Sequence, residues 1–375
     1  MLKKYWLFFA AFALMAVYLK LCGPMTNVSG DAASIWETIK SFHSGEIVPS
    51  YVMYKGFASV YPYVWLYDLS VFFGVGEFFF VKLYHCALFA YISAVGFPYL
   101  MQKLLKIDHK TWRKALLVVV LFLFWRYTRV FNQLMVDLPS LAYFLMLLNS
   151  ALKLNVQKTL RCVGRYLYTG LLVGLNMCIS GQYSAAAWCV VLYVLIKTVP
   201  WRFLKDGAKR AGALLCAAVL IVSFAAVRFC NIKFEENVID PLRAEGAWIP
   251  TGETWLQISF MRRLGVARNG NGVEIPDNRG LAIAKDLFGD EYEEKYEQMV
   301  KGEIQLTIGD YFKLAAKYPM DFITRYVNRL FLIISPDDGG LHIIPLFFAL
   351  SLIHICCTGT SLWTALFPLG FFLHS

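Results

Sequence analysis

The stretch "GFASVYPYVWLYDLSVFFGVG", residues 56–76, decides how the rest of the chain is threaded. It is long and apolar enough to suggest a membrane span, which needs ~20 residues. It also carries Pro62, Asp68 and the rings Tyr61, Tyr63, Trp65 and Tyr67. Aromatic amphipathic segments of this kind lie in the lipid–water interface rather than across it. The expectation is therefore an interfacial segment. A span here would move the following basic loop to the opposite side of the membrane.

Composition sets the class around that stretch. The chain has 375 residues, of which 58% are hydrophobic and 16% aromatic, and its mean hydropathy is +0.53. Charged residues are 17% of the chain, below the roughly 25% of an ordinary soluble domain. Several apolar runs reach bilayer length, and open sheets and loops cannot span lipid. An all-α polytopic membrane protein is expected. The net charge of +10 is spread over short loops, as the excess of Lys and Arg in cytoplasmic loops would be. A nucleic-acid binder would gather it into one patch. There are nine cysteines and no CxxC pair. Cys86, Cys162, Cys178, Cys189 and Cys216 lie in or beside apolar segments and read as buried free thiols.

Four basic clusters orient the spans: Lys3–Lys4, "QKLLKIDHKTWRK" (102–114), "KLNVQKTLRCVGR" (153–165) and "KTVPWRFLKDGAKR" (197–210). With all four inside, residues 5–22 run out as an uncleaved signal anchor. Residues 77–101 return, 115–131 run out and 138–153 return. A hairpin of 166–180 and 183–197 goes out and back around Gly181, and 211–230 runs out. This gives a membrane module over 1–230 of about seven helices, with a first outer loop over 23–76. An extracytoplasmic domain follows over 231–325, where "RNGNGVEIPDNRG" is rich in turn residues. C-terminal membrane segments fill 326–375. "LSLIHI" (350–355) reads like a translated sequencing-library adapter, so residues from about 350 are either read-through or an ordinary apolar helix. The expected location is a bacterial plasma membrane, multi-pass, with the N-terminus cytoplasmic.

This topology brings two acids to one face. Asp31 lies just beyond the first span, ahead of the amphipathic pattern Ile35, Trp36, Ile39, Phe42. Asp137 opens the run "DLPSL". An acid at the edge of an apolar helix is costly unless paired, hydrated or useful. Each also has a plainer reading. Asp before Leu-Pro is a helix-start signature, and Asp31 can simply begin an interfacial helix. Arg126 and Arg129 precede Asp137 near the same face. They either snorkel to headgroups or bind phosphate, which guanidinium forks suit. Gln182 and Tyr183, at the turn of the hairpin, could reach the same space.

The constellation resembles the GT-C class of integral-membrane glycosyltransferases, in the branch of the protein mannosyltransferases and aminoarabinose transferases. Five stretches carry the likeness: "GDAASIWETIKSFHSGEIVP" (30–49), "YKGFASVYPYVWLYDLSVFFGVG" (54–76), "VDLPSLAYFLMLLNSAL" (136–152), "YTGLLVGLNMCISGQYSAAAW" (168–188) and "GDYFKLAAKYPMDFITRYVNRLF" (309–331). The chain departs from the family at Tyr63, where a second proline is usual. It has no Asp-x-Asp pair and no Glu after the first-loop acid, so no metal and no other cofactor is assigned.

The resemblance implies a GT-C-like helical bundle with interfacial helices in its first outer loop. It implies an inverting transfer of a hexosyl or pentosyl group from a polyprenyl-phosphate donor to an outside acceptor. That acceptor would be a protein, a cell-wall polymer or a glycolipid. Asp31 would be the general base and Asp137 would orient the acceptor or hold a sugar hydroxyl. Arg126 or Arg129 would neutralise the leaving phosphate. Glu37, Tyr54, Lys55, Tyr61, Gln182 and Tyr183 would line the substrate site. Two other readings stay open. An O-antigen-type polymerase or ligase would use Arg and His in the large outer loop, which holds Arg243, Arg262, Arg263, Arg268 and Arg279 but no His. A transporter of lipid-linked glycans would show repeats and mid-membrane polar groups, whereas these helix centres are apolar.

Overall fold

A computed structural model describes residues 2–21, 31–105, 110–127, 137–154, 163–179, 181–198, 207–251 and, further on, 282–283, 285–286, 289, 291, 294–295, 298, 308–321 and 323. Every regular element among them is helical. The chain forms two compact units, one containing Met1–Ala247 and the other Trp248–Phe347.

The first unit runs α1 (Leu2–Leu21), α2 (Asp31–Ser44), a 3-10 turn (Tyr51–Lys55) and α3 (Phe57–Phe72). Next come α4 (Phe79–Tyr91), a π-turn (Ile92–Gly96), α5 (Phe97–Leu105), α6 (Thr111–Tyr127) and α7 (Asp137–Lys153). It ends with α8 (Val163–Ile179), α9 (Gly181–Thr198), α10 (Gly207–Phe234), a second π-turn (Glu235–Ile239) and α11 (Asp240–Ala244). In the second unit the described helix is α12 (Ile308–Lys317).

Among the described residues, two stretches are long and apolar enough to cross a membrane, Phe79–Lys103 and Arg210–Ala244, and shorter apolar helices cover Tyr5–Lys20, Leu138–Lys153 and Ala186–Lys197. The helices are apolar on their outward faces as well as inside. On α10, Leu214, Leu215, Ile221, Val222 and Phe229 are exposed, as are Trp188, Leu192 and Ile196 on α9. A helix that is hydrophobic all round belongs in a core or in lipid, because water on one side would select a polar face.

Packing inside the unit fixes which helix ends lie together. Tyr84 and Tyr143 share a hydroxyl–hydroxyl bond of 2.7 Å. About two turns further along both helices, Asn149 donates to the Tyr91 hydroxyl and, beyond it, to the Gly96 carbonyl at 3.1 and 3.2 Å. So α4 and α7 run parallel. The Asn149 amide, drawn to Gly96, sits against the π-turn, whose widened backbone is where such insertions occur. Ser150 bonds Thr169 at 2.7 Å while Tyr143 clusters with Cys178 and Ile179, so α8 runs antiparallel to α7. On α8, Gly170 and Gly174 form a small-residue face one turn apart. A Cβ on Gly170 would lie 2.0 Å from Ser223 Oγ and 2.4 Å from the Leu220 carbonyl, and one on Gly174 would lie 2.5 Å from Val227 Cβ. That backbone approach is the device by which helices associate where apolar burial supplies no net drive. It holds α10 parallel to α8.

α3 lies across one end of this bundle. Its first residue, Phe57, donates its backbone N–H to Asn231 Oδ1 of α10 at 3.1 Å. Ala58 clusters with Cys178 at the end of α8. Six residues on from Phe57, Tyr63 reaches His85 Nε2 of α4 at 3.1 Å. The stretch 56–76 is therefore a single transverse helix with an elbow, not a rod parallel to its neighbours.

Candidate functional site

The candidate site is the end of the bundle on which α2, the 3-10 turn and α3 rest. Ends meet there: α4, α7 and α9 begin at this end, α8 finishes there, and Asn231 of α10 reaches the same level as Cys178. Gly56 is the pivot. Its φ is +96°, and a Cβ there would meet Asn231 Oδ1 at 2.2 Å and the Cys178 carbonyl at 2.8 Å, so only glycine fits. Arg228, one turn before Asn231, bonds the Cys178 thiol from its exposed position.

α2 is amphipathic and turns its apolar side onto this end, with Ile35, Trp36 and Ile39 buried. The Trp36 ring stacks on Phe78 at 4.2 Å, and Phe42 meets Tyr61 at 5.6 Å and Phe234 at 6.3 Å. The helix thus bridges the start of α4 and the far part of α10. Between α2, the 3-10 turn and α3 lies a narrow cleft of about 10 Å³, room for about one water, lined by Ile35, Thr38, Ser50, Met53, Ser59 and Val60. Its hydroxyls are held in place: Ser34 to Ser50 at 2.7 Å, Thr38 to the Val48 carbonyl at 3.2 Å, Ser59 to the Gly56 carbonyl at 2.6 Å.

On the outer side of α2 and α3, His43 Nδ1 meets Asp68 Oδ1 at 2.8 Å, and Trp36 Nε1 donates to Glu77 Oε2 at 3.4 Å. Tyr67 packs edge-on to both Trp36 and His43. Burial, with the Glu77 and Asp68 carboxylates nearby, pushes the Tyr67 phenol above its ordinary pKa.

The expected residues fall as follows. Asp31 is the first residue of α2 and Asp137 the first residue of α7; Gln182 and Tyr183 lie in the first turn of α9, and Arg126 in the last turn of α6. For these five the structure describes backbone position. The α7 and α9 starts share the end that α2 crosses. Arg129 lies outside the described residues. Glu37 is exposed and does not line the cleft; Tyr54 and Lys55 are half-buried in the 3-10 turn before Gly56. Tyr61 is half-buried among Phe42, Phe57, Trp65 and Phe234. Among the described residues no group of three or more His, Cys, Asp or Glu could hold a metal ion.

Sequence reasoning missed Asn231, Arg228 and the buried Tyr63–His85 pair. Ending the outward span at 230 assigns Asn231 to a loop. The signal available was the polar pair Arg228 and Asn231, three apart on one helix face. Compared with family models, with curated proteins and with solved structures, the chain finds no match.

Proposed function

We propose that this chain is a multi-pass membrane glycosyltransferase of GT-C type. It moves a sugar from a polyprenyl-phosphate donor to an acceptor on the extracytoplasmic side, with inversion at the anomeric carbon. The observation that carries the reading is the transverse α2–α3 layer. It lies over the end of the bundle where α7, opened by Asp137, and α9, opened by Gly181 and Gln182, both start. α2 itself opens with Asp31. A lipid-borne donor and a water-borne acceptor can meet only at such a boundary.

In this reading Asp31 takes the acceptor proton as general base and Asp137 orients a hydroxyl. Arg126 or Arg129 stabilises the phosphate as it leaves with the bonding electrons. The donor already carries an activated sugar, so no nucleotide cleft is required. The test is purified protein incubated with a panel of radiolabelled polyprenyl-phosphate sugars and a crude membrane acceptor fraction. Transfer of label from one donor, lost in Asp31→Asn at equal expression, supports the assignment. An active Asp31→Asn removes Asp31 from its role, and no transfer from any donor removes the proposal.

A further inference from the structure

Three cations from three different helices meet at the end of the bundle opposite the candidate site. α5 and α7 finish there and α8 begins there. Lys153 Nζ stands 4.4 Å from the centre of the Tyr99 ring, and Lys103 Nζ stands 5.9 Å from it, both inside cation–π range. Arg165 Nη1 donates to the Lys153 carbonyl at 3.0 Å, and its charge acts on both the Lys153 ammonium and the Tyr99 phenol. All three cationic side chains are exposed, and Tyr99 is half-buried. Among the described residues no Asp or Glu pairs with any of them; the ion pairs there use other cations. An excess of Lys and Arg in short inner loops accounts for positive charge at this end. It does not account for three charges drawn around one ring, where like charges repel.

We propose that Lys103, Lys153 and Arg165 form a binding site for the phosphate of an anionic membrane lipid in the inner leaflet. A phosphodiester carries its charge on two free oxygens. The Arg165 guanidinium forks onto them, while the two ammoniums, braced against the Tyr99 ring, approach as point charges. Two observations commit the site to a lipid rather than a free anion. The first is depth. The apolar stretches Phe79–Lys103 and Leu138–Lys153 each end on one of the cations. The charges therefore stand where hydrocarbon gives way to headgroups, the level that long basic side chains reach for. The second is the surface leading away from the cluster into the membrane. Leu167 and Tyr168, in the turn of α8 that follows Arg165, are exposed, and Tyr168 is close enough to Tyr91 of α4 for the two phenols to interact. Acyl chains descending from a phosphate at the cluster lie along that face. Basic pockets between helices on the cytoplasmic side hold anionic headgroups in this way. The inference rests on the membrane part of the proposed function and not on sugar transfer.

The test is native mass spectrometry of the full chain in neutral detergent, titrated with dioleoylphosphatidylglycerol. Dioleoylphosphatidylcholine is the zwitterionic comparison and inorganic phosphate the free anion. Phosphatidylglycerol adducts are expected to form at lower lipid concentration than phosphatidylcholine ones. Lys153→Gln and Arg165→Gln should each weaken phosphatidylglycerol binding about fivefold, and both together with Lys103→Gln about a hundredfold, from the worth of one cation beside an anionic lipid. Lys153→Arg keeps the charge and should keep the binding. Lys197→Gln removes an inner lysine that bonds Tyr193 instead and should change nothing. Equal binding of the two lipids overturns the site. A loss in Lys197→Gln as large as in Lys153→Gln overturns it in favour of unspecific charge. Displacement of phosphatidylglycerol by millimolar inorganic phosphate overturns the lipid in favour of a free phosphate.

Discussion

Gly56→Ala is the substitution in which the docking of α3 can be worked out most fully. Alanine at φ +96° costs about 1–2 kcal/mol in backbone strain alone. The added Cβ, 2.2 Å from Asn231 Oδ1, drives that side chain off the Phe57 N–H, and the lost hydrogen bond costs about 1 kcal/mol more. The Cys178 carbonyl, 2.8 Å away, belongs to a helix backbone and cannot swing aside, so α3 must lift. A total of about 3 kcal/mol follows, several degrees of melting temperature for a chain of this size. Gly45 provides the control. It has φ +83° with nothing within 4 Å of a Cβ, so Gly45→Ala carries the strain without the collision. Thermal unfolding of the detergent-solubilised chain is expected to rank Gly56→Ala below Gly45→Ala by about 2 kcal/mol, the collision and the lost bond together. Asn231→Ala should recover part of that gap in the double variant. Equal melting of the two single variants would refute the pivot.

Other expectations follow from the same packing. Gly174→Ala should separate α8 from α10 and cost about 1–3 kcal/mol as overpacking, and Val227→Ala in the same chain should restore much of the melting temperature. Tyr63→Phe leaves the buried His85 without one partner and should cost about 1–3 kcal/mol by chemical or thermal unfolding. In the second unit, bonds from the Lys317 ammonium and the Tyr318 hydroxyl hold the Asp286 carboxyl below its usual range, and Asp286 raises Lys317 in turn. The Asp286 contribution is complete above the unfolded carboxylate value of about 3.9 and fades as pH falls through its lower folded value. The Lys317 contribution is complete below about 10.4 and fades as pH rises through its raised one. Both groups are exposed, so the effect is small. Hydrogen exchange over α12, corrected for intrinsic rates, should lose its acid-side dependence in Asp286→Asn.

Much of the helical layout was legible because each signal was local. Hydrophobic runs broken by basic clusters put helices close to where α1, α4–α5, α7, α8, α9 and α10 stand. The pattern Ile35, Trp36, Ile39, Phe42 is the docking face of α2. Asp-Leu-Pro marks the first turn of α7. Proline and four rings set 56–76 apart, and the chain does lie crosswise there. The parts not legible depend on partners distant in sequence. The π-turn at 92–96 stands against Asn149, and no local residue announces it. α10 runs past 230 to Phe234 and on into α11 although the apolar run has ended. Pairs such as Lys233–Glu236 at 2.5 Å and Arg243–Asp240 at 3.0 Å carry the helix beyond the reach of hydrophobic patterning. Gly56 reads as an ordinary turn glycine until Asn231 and Cys178 are set beside it. Much of the charged stretch 290–305 and all of 324–375, including the proposed C-terminal segments, lie outside the described residues.

The central claim is that the first residue of α2 and the first residue of α7 share the extracytoplasmic boundary. Asp31→Cys and Asp137→Cys, each in a chain otherwise free of cysteine, can be labelled with a membrane-impermeant maleimide in intact cells and in inverted vesicles. Labelling of both positions in cells and of neither in inverted vesicles is the expected result. Position 31 labelled only in cells while position 137 is labelled only in inverted vesicles would put the two acids on opposite sides and contradict it.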